Sequence, residues 1–239
     1  MKSEIEERIR KTLDIEAVYL SAMPEETALN IAEICESTLR HYPKELQIIR
    51  CIEKNCRGVY YRYFKWYIDI CGKDSRRSSV QSFCHEYGHA FLKKVSSLEL
   101  QEKITALYNE AIQDFYDFFW SVELNDRIDE YVFKDSFAKD CNRLKFIERK
   151  VNSYRLLTDF KPRKCTPSLV MSMARQFELC RDLVPQKYLT KKEQVITSNY
   201  ALTDPNEFFC EGFADYIIYG PTRPYSGRIG ELSDAYLIS

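Results

Sequence analysis

A chain of 239 residues, 45% of them hydrophobic, can bury a substantial core and is read as one domain spanning 1–239. Its 35 basic and 36 acidic residues leave a formal charge of -1, so no global field favours nucleic acid, an anionic membrane surface or a polycationic partner. No run approaches the roughly 18 to 20 apolar residues of a membrane helix, and the opening MKSEIEERIRK is too charged for a signal peptide. A cytoplasmic protein is expected, one that would reach a host cell only by another route. Nine cysteines, odd in number and scattered, read as free thiols.

In chain order, helical spacing of apolar residues predicts helices over 3–13 and about 25–40, with a short strand at Ala17 to Leu20 between them. The β-branched and aromatic residues of Leu46 to Ile52 and Val59 to Ile70 predict two or three strands of a small sheet, closed by a polar loop from Gly72 to Ser79. Residues 65–70, KWYIDI, are expected at the edge of that sheet, where an extended substrate could add as another strand. Ser78 or Ser79 caps the next helix, whose apolar surface includes Phe83, Cys84, Tyr87, Ala90 and Phe91. From Leu98 to Leu157 the pattern is helical and dense in aromatics, including Phe115, Phe118, Phe119, Trp120, Phe133 and Phe146, which core packing explains. Asp159 to Pro167 reads as a loop, and Ser168 to Leu183 as a further helix. A last helix runs from Asn206 to Tyr219, with Asp204 as N-cap, Pro205 at its first position and Gly220-Pro221 as its stop. The remainder, PTRPYSGRIGEL, is expected to be irregular and surface-bound.

One motif carries chemistry. His85-Glu86-Tyr87-Gly88-His89 is an HExxH pattern, and on a helix its histidines lie one turn apart on the same face, where both imidazoles reach one metal. Zinc accepts two such nitrogens and keeps a position open for water, and Glu86 projects beside it to take that water's proton. The chain has only three histidines, and two of them are here. The third, His41, stands beside Tyr42-Pro43 at a helix end and is not counted as a ligand.

A catalytic zinc needs a third protein ligand, best drawn from a second helix laid across the first. The segment 206–219 offers Glu207, Glu211 and Asp215 at four-residue intervals, an acidic stripe between Phe208, Phe209, Phe213, Ile217 and Ile218. Such a stripe is costly without a partner. Glu207 also suits a capping box with Asp204, and Glu211 and Asp215 could face solvent. Spacing alone leaves the ligand open between Glu207 and Glu211.

Two blocks, FCHEYGHAF (83–91) and YALTDPNEFFCEGFADY (200–216), together resemble the anthrax lethal factor type of zinc metallopeptidase, to which the Pro-Pro endopeptidases are related. The resemblance implies a gluzincin-type zincin: an α+β, mainly helical catalytic domain with a small mixed sheet. It implies Zn2+ held by His85, His89 and Glu207, with Glu86 as general base, Tyr200 steadying the oxyanion and Glu211 supporting the site. The separation of His89 from Glu207 then makes 96–195 a large helical insertion. The expected function is hydrolysis of peptide bonds in a protein or peptide substrate, a host protein among the candidates, through a zinc-bound water. Two readings compete with it. One is a catalytically idle zincin-fold effector that binds through the aromatic-rich insertion; the other is a metal-free helical scaffold with an accidental motif.

Overall fold

The computed structural model describes residues 2–52, 58–71, 78–121, 165–179, 181, 184, 186–195 and 198–238. By contact the chain divides into two compact units, Met1–Thr105 with Asp204–Ser239, and Ala106–Thr203. The second unit overlaps the expected insertion over 96–195. The secondary structure is α+β, with eight α-helices and a four-stranded mixed sheet among the described residues.

The first unit opens with α1 (Lys2–Leu13), whose Ile5, Ile9 and Leu13 recur every four residues and are all buried. Strand β1 (Ala17–Tyr19) follows, then α2 (Glu25–Ser37) and a single 3-10 turn (Leu39–His41). Helix α2 thus stops short of residue 40, and the turn completes the predicted span. The sheet is built from β1, β2 (Ile48–Ile52), β3 (Val59–Arg62) and β4 (Trp66–Cys71) in the order β1-β2-β4-β3. The β1, β2 and β4 strands are parallel, and β3 returns antiparallel to β4. This corrects the expectation for 65–70: β4 is an interior strand and β3 is the edge. The reason is registry with β2, where Ile49 lies opposite Ile68 and Arg50 opposite Asp69. Ile49, Ile68 and Ile70 are fully buried on one face. On the other, Arg50 forks onto Asp69 with both nitrogens at 2.8 Å, a pairing that specifies the register as well as the apolar face does.

Helix α3 (Ser79–Val95) packs against β4 and β3 and carries the HExxH motif. Ser78, not Ser79, is its N-cap and accepts from the Gln81 N–H at 3.1 Å, while Ser96 closes it in the left-handed conformation. Helix α4 (Leu98–Trp120) follows. Helix α7 (Pro205–Tyr219) lies across α3, and their joint core is aromatic: Phe91 stacks on Phe209 at 5.7 Å and on Phe213 at 5.8 Å, with Tyr42 edge-on to Phe213 at 5.3 Å. Each such ring contributes about 1.5–3 kcal/mol on burial. The two helices meet at Gly88, where an added Cβ would stand 3.2 Å from both Cα and Sγ of Cys210. Gly88 therefore admits a close approach of the backbones.

The segment after Gly220 departs from expectation. It forms helix α8 (Pro224–Asp234), with a capping box between Arg223 and Ser226 and with Tyr225, Ser226, Ile229, Gly230 and Ser233 buried. Its glycines lower helix propensity, but Gly230 is required, since the Tyr216 ring lies 2.5 Å from where its Cβ would be.

In the second unit the Ala106–Trp120 part of α4, α5 (Pro167–Leu179), α6 (Gln186–Val195) and a 3-10 turn (Tyr200–Leu202) are described. Phe118 packs on Phe177 at 5.6 Å, and Lys192 sits over the Phe177 ring at 5.2 Å. The Tyr108 hydroxyl donates to the Leu202 carbonyl at 2.9 Å. Residues 122–157 of the predicted helical stretch, with Phe133 and Phe146, lie outside the described residues, as does most of the loop at 159–167. No helix among the described residues is long and apolar enough to cross a membrane.

Candidate metal centre

On α3 the His85 and His89 rings project one turn apart, centroids 5.0 Å and planes at 77°. The His85 side chain is 3% exposed and that of His89 23%, so the site opens on the His89 side. His85, Glu86 and His89 bring donor atoms within 4.8 Å of one another.

Helix α7 adds the remaining charge. Asp204 caps it by accepting from the backbone N–H groups of Asn206 (2.8 Å) and Glu207 (3.1 Å). The Glu207 carboxylate turns instead to the histidines: Oε2 lies 3.0 Å from His85 Nε2 and 3.5 Å from His89 Nε2. One turn on, Glu211 is buried with Oε1 at 2.9 Å from His85 Nδ1. His85 thus has one carboxylate at each ring nitrogen. Another turn on, Asp215 is 2% exposed and faces the Arg223 guanidinium at 3.1 Å. Neither Glu211 nor Asp215 faces solvent.

The donor set fits a small divalent cation. Ligands bonded at about 2.0–2.1 Å in a tetrahedron stand about 3.3–3.4 Å apart, and the two nitrogen-to-oxygen separations from Glu207 fall at 3.0 and 3.5 Å. Glu86 stands in the same cluster, its carboxylate and the two imidazoles all within 4.8 Å of one another. Compared with protein-family models, curated proteins and solved structures, this chain matches none.

Local electrostatics follow from burial and pairing. Burial works against charge on His85, but Glu207 and Glu211 outweigh it and lift its pKa to about 9. Burial alone would raise Glu207, yet the two histidines hold it well below the usual carboxylate range. Glu86 is shifted upward by burial, against the lowering influence of His85, His89 and a hydrogen bond from the Tyr60 backbone. A carboxylate raised in this way is a better proton acceptor. Burial also pushes the Cys84 thiol up to about 12 and Cys210 well above its ordinary value, so both stay protonated and unreactive at neutral pH.

Of the residues singled out in the sequence, His85, Glu86, His89, Glu207 and Glu211 come together in the first unit. Tyr200 belongs to the second unit, in the 3-10 turn Tyr200–Leu202, and is 37% exposed. His41 lies in the turn after α2, where its Nε2 accepts from Arg40 Nε at 3.0 Å. Sequence reasoning missed the edge strand as a wall of the site: a Cβ on Gly58 would stand 3.0 Å from the Glu86 carboxylate. The glycine opening an aromatic strand was the available signal. It also missed Arg223, which no local pattern links to Asp215.

Proposed function

We propose that this chain is a zinc-dependent metallopeptidase of the zincin type, hydrolysing peptide bonds in a protein or peptide substrate. The observation that carries this reading is the position of Glu207 Oε2, 3.0 and 3.5 Å from the two imidazoles of an HExxH helix and supplied by a second helix. A sheet with an antiparallel edge strand beside that helix supports the zincin assignment, and the two motif blocks support kinship with the lethal factor type. Six described cysteines are free thiols, four of them buried, which suits work in a reducing compartment such as the cytoplasm.

In this reading His85, His89 and Glu207 hold Zn2+, which when bound supplies Lewis acidity that brings a water's pKa towards neutrality and polarises a carbonyl. Glu86 accepts the proton of the attacking water and returns it to the amine nitrogen as the peptide bond breaks. Glu211 holds the proton on His85 Nδ1, fixing the tautomer whose unprotonated Nε2 keeps its lone pair for the metal. Tyr200 is proposed, on the motif resemblance, to donate to the oxyanion as charge develops. The substrate is an extended segment added antiparallel to β3, with its scissile bond near Gly58 and Glu86. No nucleic acid or membrane enters this scheme.

The test is zinc stoichiometry together with cleavage of denatured protein and peptide mixtures. We expect one zinc per chain, and a loss of about 10²–10⁴-fold in cleavage by Glu86→Gln with zinc retained. A chain that takes up no zinc, or undiminished cleavage by Glu86→Gln, would refute the proposal.

A further inference from the structure

The hairpin joining β3 to β4 ends in a feature that neither turn chemistry nor burial accounts for. Its apex is Tyr63-Phe64-Lys65, closed by the Tyr63 N–H donating to the Lys65 carbonyl at 3.1 Å. Tight hairpin apices favour Gly, Asn and Asp, which tolerate the backbone angles required. Here two aromatic side chains occupy it, Tyr63 72% and Phe64 81% exposed, their rings edge-on at 4.4 Å. An exposed aromatic pair adds nothing to the core and favours aggregation, which points to a ligand.

The apex is rigidly presented. Behind it Tyr60 stacks on Trp66 at 4.9 Å and Tyr61 on Tyr67 at 5.4 Å, one pair on each face of the hairpin. The Tyr60 hydroxyl donates to the Glu45 carbonyl at 2.7 Å, and Lys93 of α3 sits over the Trp66 ring at 5.4 Å. The hairpin is therefore tied to the body of the first unit by hydrogen bonding and stacking.

It is also continuous with the metal centre. Strand β3 pairs with β4 on one side only among the described residues. Its start closes on Glu86, through Gly58 and the Tyr60 backbone. From there the strand runs four to six residues to the apex, which at about 3.3 Å per residue is roughly 13–20 Å. A chain lying antiparallel to β3 runs from the apex towards Glu86, so the residues meeting the apex precede the bond that is cut.

We propose that Tyr63 and Phe64 form a specificity-determining subsite that takes a large apolar side chain, aromatic or aliphatic, four to six residues on the N-terminal side of the scissile bond. This rests on the peptidase reading above. The continuity of the apex with the strand beside Glu86 selects this occupant over a separate protein partner.

The experiment is cleavage profiling of a peptide library with the zinc-loaded full chain, the Tyr63→Ser/Phe64→Ser double variant, and Glu86→Gln as blank. In the wild type, cleaved peptides are expected to be enriched in Phe, Tyr, Trp, Leu or Ile at those positions, and the double variant is expected to lose that enrichment. For a selected long peptide the double variant raises KM by about tenfold, the worth of one partly buried ring. Trimming that peptide's N-terminal apolar residue raises KM comparably in the wild type and has no further effect in the variant. Zinc content and thermal midpoint stay at wild-type values, since both side chains are exposed. Glu86-dependent cleavage without the enrichment, or enrichment that survives in the double variant, overturns the subsite and leaves the peptidase reading intact. Absence of any Glu86-dependent cleavage overturns both.

Discussion

His85 sits between two carboxylates, with Glu207 Oε2 3.0 Å from Nε2 and Glu211 Oε1 2.9 Å from Nδ1. The two glutamates then differ in consequence. Glu207→Ala removes a proposed ligand and should abolish stoichiometric zinc, whereas Glu211→Ala removes only the orienting partner and should weaken zinc binding roughly 10–100-fold. Competition with a chromophoric chelator measures both. The same contacts set the pH response of metal-free protein. Because the folded pKa of His85 is raised to about 9, its contribution to stability is complete below about pH 6.5 and is lost as pH rises through about 9. Glu207 is shifted downward, so its contribution is present above about pH 4.5 and falls away as the solution is acidified. Urea denaturation with chelator present should therefore show declining stability between pH 7 and 10. With zinc in place of the proton the alkaline decline should be smaller; an identical decline would argue against His85 as a ligand.

At the level of elements, the centre depends on how closely α7 crosses α3. Gly88→Ala places a methyl 3.2 Å from the Cys210 backbone, so the helices must part by a few tenths of an ångström. The expected cost is about 1–3 kcal/mol in stability, from overpacking. Zinc affinity should fall as well, since Glu207 retreats from the imidazoles; unchanged affinity in Gly88→Ala would show that the crossing distance is not what sets the site. The start of α7 is set by Asp204, whose carboxylate satisfies two backbone N–H groups. Asp204→Ala should lower stability by about 1 kcal/mol in chemical denaturation. Helix α8 is the element least visible in the sequence. Gly227 and Gly230 suppress its local propensity, and it forms because Ile229 and Tyr225 bury against α7, with Tyr225 edge-on to Phe208 at 5.7 Å. It also carries Asp234, which accepts hydrogen bonds from the Tyr42 and Tyr216 hydroxyls.

For the whole molecule, metal and fold should be thermodynamically linked, because the proposed ligands come from helices more than a hundred residues apart in the sequence. A ligand that binds only the native state adds about 4 kcal/mol when present at a thousandfold excess over its Kd. Chelation should therefore lower the thermal midpoint of the wild type and leave Glu207→Ala unaffected; a midpoint indifferent to chelator would count against a bound metal. The sequence by itself determined the features that depend on a few neighbouring residues: the HExxH spacing, a serine cap at 78 or 79, the Asp204 cap, the aromatic strands and the mixed α+β character. These are local because one helical turn or one β-pleat decides them. Tertiary structure alone decided that β4 is interior and β3 the edge, since strand order depends on partners distant in the sequence. It also decided which carboxylate of the stripe faces which ring nitrogen. Glu207, Glu211 and Asp215 share one helical face at equal spacing, and only the crossing of α3 and the packing of α8 give the three different surroundings.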